Sequence, residues 1–224
     1  MPRVIQTDGT KGSQKWLQTL VNQHPKLITA AFQQAAHLPS TLGVEWLSPL
    51  KSDAYAEYRD RSFVERLGVT LPQRSLASFW PNGGPVWDGL GRSEQGHLIL
   101  IEAKSHIAEI SPSGTKAMAE SSKTLIKSSL DEAKKFYGSS AEAEWSQTYY
   151  QYTNRLAHLY LLRQLNELPA FLVNAYFVND DEMRGPASRE EWRDELKRIK
   201  ALLGIGPHAL DKYAVDLFFD VKHL

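Results

Sequence analysis

Residues 85–104, which read PVWDGLGRSEQGHLILIEAK, decide the fold of this chain. The run from His97 to Ile101 is of the apolar kind found in a central strand. It ends in Glu102 and Lys104, whose side chains point to the same face because side chains alternate along a strand. Two charges on one face at the end of such a strand are unusual, so we take both residues as candidate functional groups.

The turn between the two strands predicts a close approach of two carboxylates. If residues 94–96 form a three-residue loop whose glycine is left-handed, Ser93 pairs with His97. The same register places Asp88 opposite Glu102, and directly paired residues have Cβ atoms about 4.5–5.5 Å apart. Carboxylates at that distance repel each other, and a divalent cation such as Mg²⁺ or Mn²⁺ would remove the repulsion.

An acid on one strand followed by Glu-x-Lys on the next resembles the PD-(D/E)XK, or restriction-endonuclease-like, nuclease superfamily. The resemblance covers residues 52–178. It implies that Asp88, Glu102 and the Ala103 carbonyl hold Mg²⁺ or Mn²⁺. It also implies that Lys104 orients or activates the attacking water and that a phosphodiester of nucleic acid, DNA in the first place, is hydrolysed.

The sequence departs from the superfamily pattern in one place. The proline-aspartate dipeptide is absent, and Pro85 stands three positions before Asp88. Two alternatives therefore stay open. Glu102 and Lys104 could form only an ion pair at the strand end. The same fold could also have lost its metal chemistry and serve as a binding module for nucleic acid or protein.

The superfamily resemblance also implies a further acid from an earlier helix, which we expect over residues 52–67. Glu57 borders the apolar stripe of that helix and is the favoured candidate to complete the metal shell. Asp60 lies inside the stripe and is the second candidate. Pairing of Asp60 with Arg59, Arg61 or another buried donor explains that residue equally well.

A polar helix face predicts a cleft. Gln151, Asn154, Arg155 and His158 fall within about a 100° arc of the helix that follows Tyr149. Gln151, Arg155 and His158 are candidates for contact with the substrate or with the metal ligands, because Arg can bind a phosphate through two hydrogen bonds. An internal polar network is the alternative.

Three lysines on the helix expected over 117–137 are candidates for contact with a phosphate backbone. Lys123, Lys127 and Lys134 share the face opposite the apolar one. Such a face is usually only solvated, and the nucleic-acid interpretation depends on its position after the strand that carries Glu102 and Lys104.

The order of elements predicts an α/β fold with a mixed central sheet flanked by helices. We expect an N-terminal helical extension over residues 1–45 and a restriction-endonuclease-like core over 46–224. One or two helices are expected at 13–38, with Pro25 starting the second, and further helices at 52–67, 117–137, 142–166 and 189–203. The expected strands lie at 76–80, 86–92, 97–104, 170–178 and 213–221, the last of them at a sheet edge.

Composition narrows the function. The 224 residues hold 26 Lys plus Arg and 26 Asp plus Glu, which excludes a strongly basic coat for nucleic acid. The absence of cysteine excludes a thiolate zinc site and a cysteine nucleophile. No stretch approaches the roughly 18 apolar residues of a membrane span, so we expect a cytoplasmic protein without a membrane partner. A homodimer through the first helices or the last strand stays open.

Overall fold

The computed structural model describes residues 3–224, and strand 98–104 lies in the middle of its main sheet. The strands are β1 (Arg3–Val4), β2 (Val44–Ser48), β3 (Glu57–Tyr58), β4 (Gly89–Ser93), β5 (Leu98–Lys104), β6 (Ala170–Val178) and β7 (Ala214–Asp220). The α-helices are α1 (Gly12–Gln23), α2 (Pro25–Ala35), α3 (Arg61–Arg66), α4 (Leu76–Phe79), α5 (Glu120–Phe136), α6 (Tyr150–Tyr160) and α7 (Arg189–Leu202). None of the helices in this part of the chain combines the length and the apolar character needed to cross a bilayer.

The main sheet is mixed, as predicted. Its strand order is β2-β4-β5-β6-β7, with antiparallel pairing from β2 to β5 and parallel pairing from β5 to β7. Helices α5 and α6 connect β5 to β6, and α7 connects β6 to β7. Parallel neighbours need such crossover connections, because a tight turn can join only antiparallel strands.

The central hairpin has the predicted register. Gly89 pairs with Ile101, and the Ser93 amide donates a hydrogen bond of 3.0 Å to the His97 carbonyl. Gly96 closes the loop with φ of 82°, a conformation that favours glycine. The ladder begins at Gly89 rather than at residue 86, so Asp88 stands just outside it.

Helices cover both faces of the sheet. On one face α1 and α2 bury Leu20 and Phe32 against sheet residues such as Ile101 and Val173. On the other face α5, α6 and α7 form the larger apolar cluster, which includes Leu100. The helices expected as an N-terminal extension are therefore one of the three layers of the core. Edge strand β2 starts at Val44, before the expected boundary at residue 45, and residues 1 and 2 lie outside the described part.

The expectation of a helix over residues 52–67 is wrong. The chain forms a turn, then β3, and only then the short helix α3. Ala54, Tyr55 and Asp60 all have positive φ, which interrupts a right-handed helix. Strand β3 forms because Val4, which is distant in sequence, pairs with Glu57.

Two further expectations need correction, and one strand was not expected. The strand expected over 76–80 is helix α4, whose start is capped by the Ser75 hydroxyl accepting from the Ser78 amide at 3.2 Å. The helix expected over 142–166 begins only at Tyr150, because Tyr149 has a φ of 49°. Strand β2 was not expected at all.

Candidate active site at the end of the central hairpin

Hairpin β4–β5 positions three of the predicted site residues. Glu102 and Lys104 project from β5 towards α6, while Ala103 between them is buried in the apolar cluster on the opposite face. The Ala103 amide donates a hydrogen bond of 2.8 Å to Asp88 Oδ2. Asp88 is thereby held beside the end of β5, next to the two charged residues of that strand.

Glu102 is buried and surrounded by hydrogen-bond donors. Its Oε1 accepts from Lys104 Nζ and from Gln151 Nε2, the latter at 2.7 Å, and its Oε2 accepts from Arg155 Nε at 2.6 Å. Burial alone would raise the pKa of Glu102, but Arg155 and Lys104 outweigh it and hold that pKa below its ordinary value. Glu102 and Lys104 do form an ion pair, as one of the two alternatives expected.

Arg155 is a fixed cation. Only 3% of its surface is exposed, and it also donates to the Val86 carbonyl at 2.7 Å and to Asn154 Oδ1 at 3.1 Å. Its guanidinium lies 4.6 Å from the centre of the Trp87 ring, within the range of a cation–π interaction. These contacts fix Arg155 in the orientation that serves Glu102.

Glu57 reaches the same site from strand β3. Gln6 Nε2 donates to its Oε2 at 2.8 Å. Burial, with a further contribution from the negative charge of Glu102, raises the pKa of Glu57 to about 7. The Trp87 amide donates to the Tyr58 carbonyl at 2.9 Å, which places β3 beside the segment that carries Asp88, so a strand and not a helix carries Glu57. That Glu57 completes a metal shell stays a prediction.

The pKa of Asp88 is raised as well. Burial and then the charge of Glu102 raise its pKa to about 8, against the opposing effect of Lys104. Three carboxyl groups thus share a site with two fixed cations, Lys104 and Arg155. In this arrangement Asp88 retains its proton at neutral pH.

The donor chemistry of the site fits a hard divalent cation. Carboxylate oxygens are the ligands that Mg²⁺ and Mn²⁺ prefer, and the carboxyl groups of Asp88, Glu57 and Glu102 outnumber the site's cations. The fit has a limit, since within residues 3–224 no three acidic or histidine side chains already have the arrangement of a metal cage. A cation would bind by displacing a donor from Glu102.

Two predicted contact residues have other roles. Asp60 accepts hydrogen bonds from the amides of Gly83 and Gly84, the latter at 2.8 Å, and so fixes a loop. His158 is 1% exposed, and its ring centre lies 4.8 Å from that of Trp80. Burial lowers the pKa of His158 to about 3, so it is a neutral member of an aromatic cluster. Neither side chain is among the recorded hydrogen-bond partners of Glu102.

The lysines of α5 are engaged with the protein itself. Lys127 forms ion pairs with Asp131 at 3.1 Å and Glu144 at 3.4 Å. Lys134 donates to the carbonyls of Ala141 and Ala143. These contacts give no support to the interpretation of this helix face as a phosphate-binding surface.

Sequence reasoning missed two supporting residues of the site. Gln6 reaches Glu57 only because β1 pairs with β3, and Trp87 stacks on Arg155 across a distance of 68 positions. Neither residue belongs to a local pattern that would have marked it.

Comparison with known proteins gave no relative: no family model, no curated protein and no solved structure matches the chain. The hydrogen bonds and charges around Asp88, Glu102 and Lys104 are therefore the basis on which a function is inferred below.

Proposed function

We propose that this chain is a metal-dependent nuclease of the PD-(D/E)XK type that hydrolyses phosphodiester bonds, in the first place those of DNA. The observation that carries the proposal is the convergence of Asp88, Glu57 and Glu102 with Lys104 at one end of hairpin β4–β5. Burying the carboxyl groups of Asp88 and Glu57 costs free energy that apolar side chains would not cost, so fold stability alone gives no reason to gather them there.

The topology supports the proposal. A mixed sheet flanked by helices, with hairpin β4–β5 at its centre, agrees with the fold expected from the resemblance to the superfamily. The candidate site lies where the last antiparallel strand, β5, ends beside parallel strand β6. The loop that follows Lys104 and helix α6 border the same place, where Glu102, Lys104 and Arg155 line a cavity of about 20 Å³.

Asp88, Glu102 and the Ala103 carbonyl would hold Mg²⁺ or Mn²⁺, with Glu57 close by. The chemistry that such a cation would supply is a lower pKa of bound water and compensation of the charge that builds up on a phosphate in the transition state. Lys104 is placed by Glu102 to orient the attacking water. Arg155 would hold Glu102 in place, since its contacts with Val86 and Trp87 leave it no freedom to turn towards a substrate.

One observation favours a second function. Both oxygens of Glu102 are already satisfied by Lys104, Gln151 and Arg155. A PD-(D/E)XK fold in which this network is permanent would be a binding module without catalysis. Such a module would bind nucleic acid or protein without metal, whereas the nuclease requires metal for cleavage.

A thermal-shift titration with Mg²⁺ and Mn²⁺ tests the nuclease proposal, using wild type, Asp88→Asn and the control Asp194→Asn on the exposed face of α7. A ligand at one hundred times its Kd stabilises the folded state by about 2.7 kcal/mol, or roughly 5–10 °C for a chain of this size. We expect that shift for wild type and the control and none for Asp88→Asn.

Cleavage of labelled DNA, assayed on the same three proteins, completes the test. We expect metal-dependent cleavage by wild type and the Asp194→Asn control only. If Asp88→Asn keeps more than about a tenth of wild-type cleavage, Asp88 is not a metal ligand and the mechanism is wrong. If wild type neither responds to millimolar metal nor cleaves, the binding module is the better assignment.

A further inference from the structure

A cleft of about 620 Å³ adjoins the candidate site. Its walls are two loops, residues 80–83 and 111–118, together with the start of α6. Gln151 lies on the cleft wall and donates at the same time to Glu102 Oε1 at 2.7 Å. The cleft and the candidate site therefore share a side chain, and a ligand in the cleft would lie beside Glu102.

The cleft lining has a distinct composition. Lys116 is its one charged side chain among the described residues, and none of the described lining residues is acidic. Hydroxyl groups of Ser111, Ser113 and Thr115 add hydrogen-bonding capacity. In a chain with no net charge, a lining whose one charged side chain among the described residues is a lysine suits a ligand that carries negative charge.

An aromatic pair forms one side of the cleft. The rings of Trp80 and Tyr150 are nearly parallel, with centres 6.3 Å apart and 24° between their planes. Trp80 is buried, while Tyr150 is half-buried and borders the open volume. An aromatic ring supported from behind in this way is a surface on which a nucleobase stacks.

Two features indicate where a phosphate would lie. Lys116 is exposed at the cleft rim. Met118 and Ser122 both line the cleft and flank the first turn of α5, a 17-residue helix whose N-terminus has no side-chain cap. Free amides at a helix N-terminus favour an anion. The carboxylate of Glu120 in that turn would oppose an anion, but it forms an ion pair with Lys123 at 3.4 Å.

We infer that this cleft binds an unpaired nucleotide of the nucleic-acid substrate, with its base on Tyr150 and its phosphate near Lys116. The inference rests on the proposed function for its choice of ligand and deepens it, because it makes single-stranded nucleic acid the preferred substrate. A volume of 620 Å³ lies within the range of about 300–1,000 Å³ that holds ligands of nucleotide size. A paired base, still stacked in a duplex, cannot enter such a cleft.

The cleft wall is formed before any ligand binds. The Tyr150 amide donates to the Ser113 carbonyl at 3.1 Å, and the Thr115 amide donates to the Ser146 carbonyl at 2.8 Å. A Cβ at Gly114 would lie 2.9 Å from the Cα of Gln147, so the loop packs as closely as glycine allows. The ligand therefore meets a wall whose backbone is already fixed.

Fluorescence anisotropy with a short labelled oligonucleotide, single-stranded or as the matching duplex, tests the inference. The titrations are made in EDTA at several salt concentrations, because the cleft lining offers no metal site and binding there should not need one. We expect the single strand to bind at least about tenfold more tightly than the duplex. Tyr150→Ala should weaken single-strand binding by about fivefold or more, the effect of losing one stacked base.

Lys116 is exposed, so Lys116→Glu should not disturb folding. Its matched control is Lys135→Glu, since Lys135 is also exposed and lies about 20 Å from the start of α5, near the other end of that helix. Lys116→Glu should weaken binding and lower the slope of log K against log salt by about one, and Lys135→Glu should change neither. Equal binding of single strand and duplex, or no effect of Tyr150→Ala and Lys116→Glu, would overturn the inference.

The two proposals fail in different ways. Binding that depends on Tyr150 and Lys116 without any metal-dependent cleavage supports the cleft and refutes the nuclease. Cleavage that is unaffected by either variant supports the nuclease and refutes the cleft. Absence of oligonucleotide binding refutes the cleft whatever the cleavage assay shows.

Discussion

Replacing Asp88 with asparagine should remove a large part of the pH dependence of stability. In the unfolded chain this carboxyl ionises near its ordinary pKa of 3.8, but in the folded chain it keeps its proton up to about pH 8. The folded state therefore binds one more proton between these values. The free energy of unfolding must then fall as pH rises through the window, by up to about 1.4 kcal/mol per pH unit.

The expected magnitude follows from those two pKa values. Between pH 6 and pH 8 the ionisation of Asp88 should cost the metal-free wild type about 2 kcal/mol of stability. Asparagine cannot ionise, and its side-chain oxygen can still accept the hydrogen bond from the Ala103 amide. The variant should lose that much less stability over the interval, while Glu57 titrates in both proteins and largely cancels from the comparison.

Urea unfolding in EDTA at pH 6 and pH 8 measures the difference, with Asp194→Asn as the control. Asp194 lies on the exposed face of α7, so its replacement should leave the wild-type pH dependence unchanged. The reasoning is refuted if wild type and Asp88→Asn lose stability in parallel. It would follow that Asp88 is already ionised at pH 6 and that the three carboxyl groups do not interact as described.

Three further variants separate the roles of the residues around Glu102. Arg155→Met leaves the buried Glu102 carboxylate with one cation fewer and should lower the free energy of unfolding, measured in urea, by about 3–5 kcal/mol. Partial recovery on adding Glu102→Gln would confirm that the unpaired carboxylate causes the loss, and additive losses would exclude it. Lys104→Met should lower cleavage by about 100-fold or more while the metal-induced thermal shift persists; loss of both would make Lys104 part of metal binding. Gln151→Leu removes one donor that competes for Glu102 Oε1 and should tighten Mn²⁺ binding by about 2- to 10-fold in a thermal titration; weaker binding would mean that Gln151 assists the metal.

The parts of the fold that depend on short-range patterns were predictable. The hairpin register follows from a loop of three residues ending in Gly96 and from the apolar run that precedes Glu102. Strand β6 is apolar throughout and has the bounds expected for it, 170–178. The start of α7 at Arg189 was also predicted, and in the structure the Ser188 hydroxyl caps it by accepting from the Glu191 amide.

The parts that depend on distant partners were not predictable. Residues 52–67 have enough apolar periodicity to suggest a helix, yet Glu57 is in a strand because Val4 pairs with it. Asp60 looks like a site acid by position, but its carboxylate binds amides more than 20 residues away. Long-range pairing overrides local preference here, as it commonly does for strands.

If Glu102 is the metal ligand proposed above, its carboxylate also belongs to a structural network. Two of its three donors, Lys104 and Arg155, are buried cations, and removing either from Glu102 would leave a charge without compensation. Gln151 is neutral and half-buried, so it is the donor that can be displaced at the lowest cost in free energy. Because Gln151 also lines the neighbouring cleft, a nucleotide bound there can draw its amide away from Oε1 and open a position for a cation on that oxygen, beside the Lys104 ammonium. Metal and oligonucleotide should then each strengthen the binding of the other, and a Gln151→Leu variant should lose that coupling.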